Sequence, residues 1–440
     1  VGSPYPCSQS ATFNTQMCCF RPGVTRFTDK TMHHIFNGQA VVTGSTVILD
    51  GTTIVNTDVT LNDCHIYMAK DALIDIYNGK SLTLGPNTIV EACGDDLWDA
   101  IKVRRLATLN TNGATIKDAR TAVQSLNGGL FNLVSTSFIN NLTGIEVTPH
   151  RNQGAHPGNY RSCSFRKNSK LKRPYDGSQK VTGIRVRSVD YIELGLACNN
   201  QYDHTDWSEF VNLDFGINAY QSSGRIIGNE FVNNDRGVFL MGLSPFSTRN
   251  LYSWIIGEDD QACQDNSREF QLTSRATQRV YNHFDYCRIV IHVRNLSDVV
   301  VSENGFENCR FFATAMQDMG GLQNASVTYF RNAHEDNNNG FQMTGMAANT
   351  VIEENTFDCT SARPNRRAIV CSNIGSLVLG DLSDDLPNEA SPLRIIRNSL
   401  LNHGRGITVS NAGNAWVDGN EIFIPASPGI ATYGISLESS

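Results

Sequence analysis

Charge is scarce in this sequence. Asp, Glu, Lys and Arg make up 18% of its 440 residues and the net charge is −7. That balance argues against a surface built to grip nucleic acid, although it leaves room for a local basic site. No apolar run approaches the roughly 18 residues that a membrane-spanning helix needs, so no membrane span is expected. The start at Val1 reads as processed or trimmed, in keeping with an exported protein. The 12 cysteines contain no C-x-x-C pair, which leaves zinc ribbons and thioredoxin-type redox sites without support, and no motif calls for a metal or a cofactor. With 40% hydrophobic residues, 36 Gly and 13 Pro, the chain is neither disordered nor collagen-like. Convincing amphipathic helices are also missing.

The cysteines stay open to two readings. They are a few disulfides of an exported protein, with Cys7, Cys18 and Cys19 as first candidates, or small buried hydrophobes, since free Cys is among the most buried residue types.

What the chain has in excess is asparagine, with 43 residues, far too many for a helical protein because Asn competes with the helix backbone and prefers turns. Much of that asparagine belongs to one recurring phrase. It is clearest at Arg225–Leu240: a short apolar strand, Asn229, Phe231 two residues on, a turn at Asn233 and Asn234, then Gly237 and a second apolar strand. The phrase returns as Asn282 with Phe284, Asn304 with Phe306, Asn332 with His334, Asn355 with Phe357, Asn398 with Leu400 and Asn420 with Ile422. Successive copies from Asn282 onward lie 22 to 28 residues apart, except for the 43 between Asn355 and Asn398, which fits two turns. Upstream, Thr136, Cys163 and Ser208 fill the Asn slot before Phe138, Phe165 and Phe210. Earlier still, only apolar phrases around Leu61, Leu84, Leu109 and Leu133 keep the step.

A period near 22 with several short strands per repeat predicts an all-β chain wound as a parallel β-helix, of about 17 or 18 turns. Rungs about 4.8 Å apart would stack the Asn side chains into a hydrogen-bonded ladder. The residue two after each Asn shares its face, so a Phe ladder would run beside it in the core.

In this phrase the sequence resembles the right-handed parallel β-helix repeat proteins, whose best-known members are pectate lyases, polygalacturonases and phage tailspikes. The resemblance covers about residues 40–440. Ser81–Leu84 and Asp95–Val103 are also similar to parts of large secreted bacterial β-helix proteins whose export depends on a C-terminal sorting domain. The organisation expected is an N-terminal cap or lead-in at 1–38 and a β-helix at 39–440, with inserted loops near 149–188, 241–280 and 376–392. Tyr433–Ser440 stops within a rung, so the chain is expected to belong to a longer polypeptide, with its remainder or a secretion or anchoring machinery as partner.

A β-helix decides no function by itself. The segment 149–188 carries ten Lys and Arg against Asp176 alone, +9 in a chain of −7. His150, Arg151, Lys167, Lys170, Lys172, Arg173 and Tyr175 are its candidates for binding an anionic polysaccharide or cell-surface glycan, through guanidinium forks and aromatic faces. The alternative is a solvated loop whose charges pair with the acidic remainder of the chain. In the 241–280 stretch, Tyr252 and an exposed Trp254 beside Glu258, Asp259 and Asp260 would stack on a sugar. Alternatively, Trp254 clamps an acidic loop onto the coil. The stretch Asp381–Pro392 reads as an acidic turn.

Known β-helix chemistries do not transfer. Asn56-Thr57-Asp58, Asp95-Asp96 and Asn402-His403-Gly404 superficially match polygalacturonase motifs, but the first two lie in the first rungs and the last near the end, hundreds of residues away. Arg363–Arg367 has the wrong spacing for the pectate-lyase motif, and Thr148-Pro149-His150-Arg151 lacks both acids of the uronan epimerases. The reading that remains is a secreted or cell-surface, non-catalytic adhesive or structural β-helix that binds an anionic polysaccharide. The alternative is a polysaccharide lyase or glycoside hydrolase of unfamiliar type, with His150, Lys167, Lys170, Arg173, or His334 and Glu335, as acid or base.

Overall fold

A computed structural model describes residues 19–149, 158–175, 177–195, 206–243, 252–257, 268–271, 277–319, 325–345, 349–374, 393–412, 415–424 and 433–438, with 268–271, 277–280 and 361–365 described by backbone alone. The chain divides into two compact units, Val1–Arg185 and Val186–Ser440. Each is a parallel β-helix in which a rung contributes three strands, here called a, b and c in chain order, as Gly224–Ile227, Asn229–Val232 and Arg236–Met241 do in the second unit, whose c strands also include Phe215–Tyr220, Ile289–Arg294 and Phe312–Gln317.

In the first unit the a strands run from Val41–Thr43 through Val59–Asn62, Ser81–Leu84, Thr108–Asn112 and Leu130–Val134 to Gly158–Arg161, each pairing in parallel with the next. The register puts Leu82, Leu109 and Phe131 in one column and Val90, Ile116, Phe138 and Phe165 in another. All seven are buried, because alternate strand residues share a face and that face points into the coil. The stack of Phe138 on Phe165 has ring centroids 4.7 Å apart, close to the rung repeat. At the start, Thr25–Thr28 pairs with Thr46–Asp50, and the one-turn helix Met32–Ile35, capped by Thr31, buries Met32 and Ile35. Of the segment 1–38 only residues 19–38 are described, and a Cys19–Cys93 disulfide ties them to a later rung. Cys7, Cys18, Cys198 and Cys263 lie outside the described residues, and Cys64, Cys163, Cys287, Cys309, Cys359 and Cys371 are buried.

In the second unit the b strands begin at Ser208, Asn229, Asn282, Gly305, Ala333, Thr356, Ser399 and Glu421. Phe210, Phe231, Phe284 and Phe306 stack at centroid distances of 4.8, 4.6 and 5.3 Å, followed by His334 at 4.7 Å and Phe357 at 4.2 Å. Such pairs are worth about 0.5–1.5 kcal/mol each beyond their burial. The core ring presses on the c strand beside it: a Cβ on Gly340 would lie 2.5 Å from both the Ala368 carbonyl oxygen and the Phe357 ring.

The Asn ladder forms as the spacing predicts. Nδ2 of Asn229 donates to Oδ1 of Asn282 at 3.4 Å, and the pattern continues through Asn304, Asn332, Asn355 and Asn398 to Asn420 at 2.9–3.1 Å. The direct bond from Asn355 to Asn398 corrects one expectation, since the 43 residues between them make one rung with a long insertion. Insertions of this kind also lower the number of turns. Six b strands are described in the first unit and eight in the second, fewer than 17 or 18 turns would need.

The residue before most ladder positions bends the chain. Glu303, Arg331, Glu354 and Arg397 all have φ near +50°, and Asp63, Asn87, Ser135 and Ser162 take the same conformation before Cys64, Thr88, Thr136 and Cys163. A left-handed residue costs an L-amino acid about 1–2 kcal/mol, which the ladder's buried hydrogen bonds offset. The Asn slot therefore runs back into the earliest rungs, where smaller residues occupy it. A second buried corner, between b and c strands, uses Asn141, Asn234 and Asn337, each bonding one rung's N–H and another carbonyl.

Candidate functional site

The basic segment lies in the first unit, where Lys172 and Arg173 turn back onto earlier rungs. Lys172 Nζ donates to the Gly94 carbonyl at 2.7 Å and faces Asp118 at 3.0 Å, while Arg173 pairs with Asp96 at 3.3 Å. Backbone bonds from Arg173 N to Asp95 O and from Leu97 N to Arg173 O secure the contact at 2.9 Å each. Tyr175 is half-buried, its N–H on the Lys172 carbonyl, whereas Lys167 is partly exposed and Lys170 exposed. His150 and Arg151 lie outside the described residues. Two of the four described cations among the candidates are thus engaged with the coil.

Trp254 is not an exposed platform. It is 1% exposed, and its indole N–H donates to the Ser222 carbonyl at 2.5 Å. The cause is its place in the inward column of the a strands, opposite Gly224 and Val299. Tyr252 is half-buried, its carbonyl accepting from Ser297. Nor do His334 and Glu335 converge as an acid–base pair. His334 points into the core, its Nε2 2.8 Å from the Tyr329 hydroxyl, and burial holds it neutral with a pKa well below the usual imidazole value. Glu335 faces the opposite side of the strand. His403 is likewise an inward residue.

Two outward columns of the second unit carry chemistry. On the b strands, the register stacks Asp285, Glu307, Glu335 and Asp358 on four successive rungs, about 4.8 Å per step. His283 lies beside them, with Nδ1 3.4 Å from Glu230 and Nε2 3.7 Å from Glu307. Burial disfavours its charge, yet the hydrogen bonds to these carboxylates outweigh burial and raise its pKa. Burial raises the Asp285 pKa, against a hydrogen bond from Asn308. The next residue, Tyr286, is 49% exposed.

On the c strands, Asn218, Phe239, His292 and Ala315 form one column by register. They alternate with the inward Ile217, Val238, Ile291 and Thr314, so they face outward; yet they are only 5–7% exposed. Neighbouring side chains flank this floor. Arg236 lies over the Phe239 and Phe215 rings at 4.8 and 5.3 Å, and Tyr220 meets Phe239 edge-on at 6.0 Å. His292 Nε2 donates to Gln317 Oε1 at 3.3 Å, and its ring is 5.1 Å from that of Phe239. Burial, reinforced by Arg236, Arg294 and Arg288, pulls the His292 pKa down to about 4. Sequence reasoning passed over this column. Its available signal was a polar His inside the otherwise apolar run Ile289–Val293.

Among the described residues, no group of three or more His, Cys, Asp or Glu is placed to hold a metal ion, and no helix is long and apolar enough to cross a membrane. Comparisons with protein-family models, with curated proteins and with solved structures find no match to this chain. The class that the fold defines is a parallel β-helix.

Proposed function

We propose that this chain is a polysaccharide-binding β-helix protein, exported or displayed at a cell surface, whose role is adhesion to a glycan. Of the β-helix types, the pectate-lyase-like one is the reading that the Asn ladder and its neighbouring aromatic ladder favour. The observation that carries the proposal is the outward c-strand column of the second unit, where an aromatic floor is flanked by guanidinium groups. Aromatic faces and planar donors side by side suit sugar rings and their oxygens. The test is affinity electrophoresis of the full chain through gels containing neutral, uronate and sulfated polymers. Retardation by at least one polymer is expected, and free migration through all of them overturns the reading.

The b-strand column favours a second reading, hydrolysis or elimination of a polysaccharide. Carboxylates one rung apart approach the separation of retaining glycosidases, and those two rungs apart the range of inverting ones. Under that reading Asp285, with its raised pKa, is the acid and Glu307 the partner. Incubation with the same polymers should then release reducing ends or unsaturated products, abolished by Glu307→Gln.

A further inference from the structure

The c-strand face holds a set of buried polar atoms without hydrogen-bond partners. These are Asn218 Oδ1, Arg236 Nε, His292 Nδ1 and Arg294 Nε, on three successive rungs. Leaving one such group unsatisfied is unfavourable, so several on one outward face point to a ligand that completes them. Their chemistry says which ligand. With Nε2–H donating to Gln317, neutral His292 presents Nδ1 as an acceptor, and Asn218 Oδ1 is a second acceptor; both need donors, which hydroxyl groups supply. Arg236 and Arg294 present donors and positive charge. Arg288 adds a third cation, paired with Asp235 at 2.5 Å, and Arg294 also meets Asp318 at 3.3 Å. Arg236 instead lies on two aromatic rings, where burial lowers its pKa.

We propose that Asn218, Arg236, His292 and Arg294 form a subsite for one sugar residue that bears an anionic group, a carboxylate or a sulfate ester. Sugar hydroxyls fill the two acceptors, and the anion lies against the guanidinium groups, where a fork of N–H donors matches its planar or trigonal oxygens. The subsite rests on the polysaccharide reading above and moves the anion-binding centre from the 149–188 segment to the second unit.

The test is calorimetric titration of the full chain with trigalacturonate, a chondroitin sulfate tetrasaccharide and neutral maltotriose, repeated on Arg236→Gln and Arg294→Gln. The Arg294 side chain is 41% exposed, so its variant tests the site even if loss of Arg236 disturbs folding. Binding of one or both acidic probes, with maltotriose at least tenfold weaker, is expected. Each variant should weaken the acidic probe tenfold or more, the scale for losing a hydrogen bond to a charged group. The better of the two acidic probes identifies the anion as carboxylate or sulfate. Acidic probes bound equally by wild type and both variants overturn the subsite and leave the polysaccharide reading standing. Equal binding of maltotriose overturns the anionic assignment, and no binding of any probe overturns both.

Discussion

Removing one rung of the Asn ladder should cost far more in its middle than at its end. Asn332 is fully buried and makes four side-chain bonds. Its Oδ1 accepts from Asn304 N and Nδ2, each at 3.1 Å, and its Nδ2 donates to Val301 O at 2.9 Å and Asn355 Oδ1 at 3.0 Å. In Asn332→Ala the Asn304 backbone N–H loses this partner, a loss of about 1–3 kcal/mol for a buried donor. Asn304 Nδ2 keeps the carbonyls of Ile256 and Ser302, and Asn355 Oδ1 keeps the Asn332 N–H. The other lost bonds therefore count at their net value of about 0.5–1 kcal/mol each. The sum is about 2.5–6 kcal/mol. Asn420 makes four bonds of the same kind, accepting from Asn398 N and Nδ2 at 2.9 Å each and donating to the Ile395 and Asp418 carbonyls, but it is partly exposed and water can replace it, so Asn420→Ala should cost only about 1–2 kcal/mol. Because repeat proteins unfold in parts, hydrogen exchange read by mass spectrometry on peptides spanning 301–307 and 329–335 is the appropriate assay. Equal loss of protection in the two variants would refute the ladder as the main polar support of the coil.

Three further outcomes are expected. Trp254→Ala should lower unfolding stability by about 3–5 kcal/mol, as for other buried aromatic truncations, and a change under 1 kcal/mol would return Trp254 to the surface. Lys172→Met should destabilise the first unit by about 1–2 kcal/mol through its lost bonds to Gly94 and Asp118, with little effect on polymer affinity; the reverse pattern would restore the basic segment as the binding site. Burial pulls both His292 and His403 down to about 4. The unfolded chain takes up those protons near pH 6.5 and the folded one only near 4, so the stability this lends is present above pH 6.5 and lost as pH falls through about 4. The urea midpoint should fall over that window and fall less in His403→Gln, whereas a flat profile would contradict buried, neutral imidazoles. His283 has the opposite sign. Its raised pKa lends stability that is present below pH 6.5 and lost as pH rises through the folded value.

Much of the fold was legible because stacking repeats the same residue at the same place: Asn229 and Asn282 read as one slot, and Phe231 and Phe284 as the next. Legibility failed where chemistry changed while geometry persisted. Cys64 and Thr88 hold the ladder corner in early rungs, since a single left-handed residue before them makes the bend whatever follows. Spacing alone equated the 43 residues after Asn355 with two turns, because an insertion and a turn add length in the same way. The face of a residue was harder still. Trp254 beside an acidic stretch reads from composition as exposed, and His292 inside an apolar run draws no reading at all, yet the first faces inward and the second lies on the outward side of its strand. Which of them faces solvent depends on strand register, which a single strand's sequence does not carry.

Hydrogen–deuterium exchange of the full chain, with and without trigalacturonate or the chondroitin sulfate tetrasaccharide, tests the central claim most directly. Protection concentrated in peptides covering Arg236–Met241 and Ile289–Arg294 is the predicted result. Protection confined to 158–187, or none anywhere at saturating probe, would contradict it.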